Sequence, residues 1–163
     1  MAISNLSLAI VLVTGLTMAH ICLATSLFDW KLQYLAPTNA ARLAALQPPL
    51  VWNETLATFA RSYAKERAVD CKLQHSNNPI YGENIAMSPG ELSPSEAVDL
   101  WAGEKPNYDY GSNNCKEMCG HYTQIVWKDT QSVGCAKERC QNGGTFITCN
   151  YYPPGNVIGE RPF

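Results

Sequence analysis

The chain has 163 residues and a formal net charge of −2, a length that suits one domain and a charge that leaves no electrostatic footprint for nucleic acid. Beyond the first 24 residues no apolar run is long enough to cross a bilayer.

Residues 1–24 contain no Lys, Arg, Asp or Glu and carry an apolar run from Leu8 to Met18 that ends in small residues. This reads as a secretory signal peptide cleaved after Ala24, with Ser26 the competing position, and leaves residues 25–163 as a single domain. Phe28 to Leu46 reads as helical in parts, with Pro37 as an interruption and Asn39 able to start a fresh turn. Asn53 can cap a clearer helix, on which Leu56, Phe59, Ala60, Tyr63 and Ala64 recur at helical spacing. Asn53-Glu54-Thr55 is also a glycosylation sequon, so one side chain has two uses open to it.

Two short blocks follow that hold chemistry, LQHSNN around His75 and YGENIA around Glu83. The next helix start is strong: Ser93 as N-cap, Pro94 at the first helical position and Glu96 placed to complete a capping box. Ala97, Trp101 and Glu104 share one face of that helix, which sets a carboxylate beside a buried indole. His121 lies in GHYTQIVW, so His75 and His121 are the two histidines left after the leader, each near a distinctively placed acid.

From Gln124 onward the pattern becomes strand-like in IVW, SVGCAKERC and TFITCNYY, with Asn142-Gly143 as a hairpin turn between the last two. Helices first and strands later give an α+β chain. Cys22 leaves with the leader; Cys71, Cys115, Cys119, Cys135, Cys140 and Cys149 remain, an even set that argues for three disulfides in an oxidising compartment. The hairpin sets Cys135 nearly opposite Cys149, Cys115 and Cys119 can close a small loop, and Cys71 is left for Cys140, one choice among fifteen connectivities.

GHYTQIVWKDT (Gly120 to Thr130) and FITCNYYPPGNV (Phe146 to Val157) resemble the two signature motifs of the CAP superfamily of cysteine-rich secretory proteins, antigen 5 and pathogenesis-related 1 proteins. NAAR, LVWNETLATFARSYAKER, DCKLQHS, YGENIA, AVDLWAGEK and the terminal PPGNVIGERPF resemble its plant pathogenesis-related protein 1 branch, over nearly all of the chain after the leader. The resemblance implies a three-layer α-β-α sandwich around a central antiparallel sheet, held by three disulfides. It implies a central cleft of His75, Glu83, Glu104 and His121, whose histidines bind zinc or a similar divalent ion in several members. It also implies binding of sterols or related lipids, and defence against fungi and oomycetes by sterol sequestration. The aromatic stretch Trp101, Tyr108 and Tyr110 resembles the family's sterol loop, and the tail resembles a segment released as a signalling peptide, Pro153 to Phe163, by cutting after Tyr152. The expectation is therefore a monomeric defence protein, secreted to the apoplast or a vacuole, with sterol as partner and a receptor for the peptide. The alternative is a metal-dependent hydrolase using His and Glu to activate water, for which Ser76 is not marked as an activated nucleophile.

Overall fold

The computed structural model describes residues 30–163; the signal-peptide expectation lies outside the described residues. Residues 33–163 make one compact unit. Residues 30–44 are helical (α1), straight through Pro37, where the sequence suggested an interruption. Proline has no amide for the carbonyl four residues back. That carbonyl, on Gln33, instead accepts the Ser95 hydroxyl at 3.0 Å. Asn39 does not restart the helix; its amide side chain clamps Leu50, giving Nδ2 to the carbonyl and taking the amide on Oδ1.

Strand β1 (Val51–Trp52) leads into helix α2 (Glu54–Arg67), which Asn53 caps by accepting from the Thr55 and Leu56 amides. Strand β2 (Gly82–Ser88) precedes helix α3 (Pro94–Ala102), whose capping box of Ser93 and Glu96 is complete with Pro94 in the first turn. A short 3-10 turn, Lys105–Asn107, opens the two-residue strands β3 (Tyr108–Asp109) and β4 (Asn114–Cys115). Helix α4 (Gly120–Ile125) is followed by the hairpin β5 (Ser132–Arg139) and β6 (Thr145–Tyr152). Asn142-Gly143 does make the turn, with Gly143 at φ 88°, a conformation that suits a residue without Cβ.

The sheet runs β1-β5-β6-β2. Its three long strands pair antiparallel, and β1 adds a parallel edge, Val51 beside Ser132. Helix α2 packs on β5 and β6 around Ala60, Tyr63, Ile85, Ala136 and Phe146, with Tyr63 and Phe146 edge to face. Helices α3 and α4 pack against each other, and α4 touches β2.

IVW is not a strand. Ile125 ends α4, and Val126 and Trp127 follow it outside any strand, all buried. Strand preference describes fit to a half-buried pleated surface. Here the Ile125 and Trp127 carbonyls, which a strand would give to a neighbour, go to the Arg42 guanidinium. Strand β2 lacks the alternation by which a strand is read, because Asn84, Ile85 and Ala86 are all buried in succession.

The cysteines pair as Cys71–Cys140, Cys115–Cys119 and Cys135–Cys149. Cys135 and Cys149 are direct cross-strand partners. Cys71–Cys140 ties the chain just after α2 to the end of β5, and Cys115–Cys119 closes β4 onto the residue preceding α4.

Candidate functional site

Strand β2 holds both carboxylate–imidazole pairs through consecutive residues. Glu83 Oε1 lies 2.7 Å from His75 Nδ1 and also accepts the Ser76 amide at 2.9 Å. Its Oε2 takes Asn150 Nδ2 at 3.4 Å. The next residue, Asn84, is buried and donates to the His121 carbonyl at 3.0 Å and to the Tyr151 hydroxyl at 3.3 Å.

The second pair is Glu104 and His121. Glu104 Oε1 is 2.6 Å from His121 Nδ1, while Oε2 accepts the backbone amides of His121 and Tyr122 at 3.0 and 3.3 Å. One carboxylate thus orients an imidazole and satisfies the opening amides of α4, where a negative charge is favoured. Trp101, beneath it, is 3% exposed, stacks on the His121 ring and donates its indole N–H to the Ile85 carbonyl. Glu104 does not share a helix face with Trp101, because α3 ends at Ala102 with Gly103 as its cap; its carboxylate is satisfied past the helix end by three hydrogen bonds to His121 and Tyr122.

With Nδ1–H donating to a carboxylate, each imidazole keeps its Nε2 lone pair for a metal or a proton, the arrangement that fixes ring orientation in metal-binding histidines. The side chain of His75 is 56% exposed and that of His121 20%. Among the described residues no group of three or more His, Cys, Asp and Glu could hold a metal ion. The structure forms two carboxylate–imidazole pairs, His75–Glu83 and His121–Glu104, and not a joint ligand set of all four residues. Ser76 meets Glu83 through its amide, and its hydroxyl accepts the Asn78 amide at 3.4 Å.

Trp101 belongs to the core and offers no face to a ligand. Tyr108 is half-buried and donates to Asn113 Oδ1, and burial pushes its phenol upward. Tyr110 is 52% exposed. Beside Glu104 a groove of about 690 Å³ opens along α3, with Leu92, Leu100, Gly103 and Asn107 in its walls. On the α2 side a polar cleft of about 420 Å³ is lined by Tyr63, Arg67, Gln74 and His75.

Two positioning residues escaped the sequence reading. Arg42 is 1% exposed and donates to the carbonyls of Pro48, Ile125, Trp127 and Thr130. Gln124, equally buried, accepts the Gly155 amide and donates to the Thr130 hydroxyl. Gly155 needs to be glycine, since a Cβ there would come within 2.7 Å of Gln124 and 2.8 Å of Trp127. The available signal was a long polar side chain inside an otherwise apolar block, Arg42 in AARLAAL and Gln124 in YTQIVW.

The CAP, cysteine-rich secretory protein, family matches residues 35–151. The chain belongs to that family. It is 46% identical over 160 residues to a pathogenesis-related protein of PR-1 type from Sambucus nigra, covering 96% of this chain and 94% of the relative. It is 50% identical over 135 residues to pathogenesis-related protein 1 of Arabidopsis thaliana, covering 83% of each. Among solved structures, NaASP2 with Zn2+ superposes with a TM-score of 0.68 at 24% identity, over 83% of this chain and 85% of that one, a likeness of fold. Schistosoma mansoni venom allergen-like protein 4 matches with a TM-score of 0.60 at 28% identity, over 85% and 92%. The CAP domain described here is accordingly of the plant pathogenesis-related 1 type, and no helix among its described residues is long and apolar enough to cross a membrane.

Proposed function

We propose that this CAP protein is a secreted defence protein that acts by binding a sterol or related lipid, at the surface between α3 and the Tyr108–Tyr110 loop. The observation that carries the reading is the groove beside α3, which reaches Asn107, the residue before Tyr108. Its volume of about 690 Å³ lies within the roughly 300–1,000 Å³ of small-molecule sites. Leu92 and Leu100 supply apolar wall, and Glu96, Asp99, Glu104 and Asn107 supply polar groups. A rigid ring system with one hydroxyl matches that mixture. Sterol depletion of fungal or oomycete membranes is the defence activity this binding would produce. The three disulfides support an extracellular or vacuolar destination. The tail from Pro153 to Phe163 is, in this proposal, the part released for a receptor.

A divalent ion such as zinc is proposed as a weak, dispensable occupant held by His75 and His121 through Nε2. When bound it would supply Lewis-acid polarisation. One observation favours the alternative of a metal-dependent hydrolase: both imidazoles are held by carboxylates, as a general base is. The separating experiment is sterol binding by the purified protein with and without chelator. Saturable, chelator-insensitive binding is expected; chelator-sensitive ester or peptide hydrolysis without sterol binding would favour the enzyme.

A further inference from the structure

The last eleven residues form a strap pinned at both ends. At the near end the Gly155 amide donates to Gln124 Oε1, and Asn156 bonds the Thr123 hydroxyl and the Gly120 carbonyl, all on α4. At the far end Arg161 donates to the carbonyls of Tyr110 and Gly111, with its guanidinium 4.9 Å from the Tyr110 ring centroid. Phe163 stacks on Tyr110 at 5.4 Å and 18° and meets Tyr108 edge-on. The Pro162 carbonyl accepts the Lys128 amide, and the Glu160 carbonyl accepts Asn113 Nδ2. Between the anchors the strap stands away from the body: Val157 is 44% and Ile158 100% exposed.

Beneath it is a hollow of about 340 Å³, lined by Tyr108, Thr123 and Trp127 from the body and by Asn156, Val157 and Pro162 from the strap. We infer that the Arg161–Phe163 clasp masks the Tyr110 ring from an apolar ring ligand, and that releasing the clasp uncovers that ring beside the hollow, to which Tyr108 but not Tyr110 contributes. Closed, the hollow sits at the low end of the size range of small-molecule sites. Opening exchanges the Phe163–Tyr110 stack for a ligand–Tyr110 stack, so strap and ligand compete for one aromatic face. Because ligand binds only the uncovered ring, whatever loosens the strap tightens ligand binding by up to the same factor. The choice of a sterol as ligand rests on the function proposed above; the covering of Tyr110 does not.

The test uses the full chain after the leader, with the variants Arg161→Ala, Phe163→Ala and Phe163→Tyr, the last preserving the stack. Two quantities are read: the rate of tyrosine nitration at Tyr108 and Tyr110, mapped by mass spectrometry against Tyr152, and the affinity for radiolabelled cholesterol in detergent. Both alanine variants are expected to raise nitration and sterol affinity by about three- to tenfold, the range set by one aromatic or cation–π contact, with Phe163→Tyr like the wild type. Unchanged nitration in both alanine variants overturns the inference, as does raised nitration with unchanged or weaker sterol affinity. If no protein in the series binds cholesterol, the lipid reading falls, and nitration alone decides whether the strap covers the tyrosines.

Discussion

Arg42 Nη1 lies 2.8 Å from the Trp127 carbonyl, joining the first helix to the chain just after α4. The same nitrogen reaches Ile125, and the rest of the guanidinium takes the Pro48 and Thr130 carbonyls. Burial pulls the guanidinium down to about 10, the nearby Tyr151 acting the other way, so it stays charged at neutral pH. The charge is neutralised by carbonyl dipoles, and these are left unsatisfied if the fork is removed. Leaving buried acceptors without donors costs about 1–3 kcal/mol each. Arg42→Ala is therefore expected to lose at least about 3 kcal/mol in urea unfolding, with Arg42→Lys recovering only part, because an ammonium lacks the planar fork. A loss below about 1 kcal/mol would show that water replaces the guanidinium readily.

The two histidines share one kind of support but differ in exposure, and both are needed for a weak ion site in the proposal above. Zinc titration by calorimetry should detect one weak site in the wild type and none in His75→Ala or His121→Ala. Glu83→Gln and Glu104→Gln should weaken it by roughly 10- to 100-fold by removing the carboxylate that orients each ring. Full affinity after both histidine changes would place the ion elsewhere.

Ligand binding and hydrolysis make opposite demands on the same variants. For a lipid binder, Tyr108→Ala and Tyr110→Ala should weaken sterol binding, while His75→Ala and His121→Ala leave it within about twofold, since the rings supply apolar contact and the imidazoles do not. For a hydrolase the histidine changes abolish turnover and the tyrosine changes matter little. Trp101→Ala is unsuitable for this comparison. It opens a core cavity costing about 3–5 kcal/mol, which circular dichroism melting would report.

The capping box of α3 adds a pH dependence. Hydrogen bonds from the Ser93 hydroxyl and amide hold the Glu96 carboxyl below its usual 4.5. A depressed folded value means the contribution is present above 4.5 and lost as pH falls through the folded value. Melting temperatures between roughly pH 5 and pH 3 should fall less steeply for Glu96→Gln than for the wild type. Ser93→Ala should cost about 1 kcal/mol at neutral pH by removing the cap. Parallel pH curves for wild type and Glu96→Gln would show the box to be silent.

Elements whose signal is local were legible in the sequence: the Asn53 and Ser93 caps, the Asn142-Gly143 turn and the hairpin that sets Cys135 against Cys149. Each depends on neighbours a few residues away. Strand β2 was not legible, because a strand buried on both faces shows no alternation, and IVW misled because its carbonyls answer to Arg42, 83 residues away at Ile125. The same division runs through the site. Glu83, Glu104, His75 and His121 were named from motif resemblance as one cleft; their division into two dyads is seen only in the structure. That Asn84 ties one dyad's strand to the other's helix rests on a contact 37 residues apart, which no spacing rule carries.

Helix α1 crosses Pro37 because Ser95, on another helix, supplies the donor that proline lacks. The two positions therefore form a single unit of substitution. A residue with an amide at position 37 would satisfy the Gln33 carbonyl from within the helix and release the Ser95 hydroxyl from its duty. With Pro37 retained, loss of that hydroxyl strands a carbonyl in a part-buried position. Among relatives of this chain, freedom at position 95 should accordingly follow what stands at 37, so that the two drift together or hardly at all.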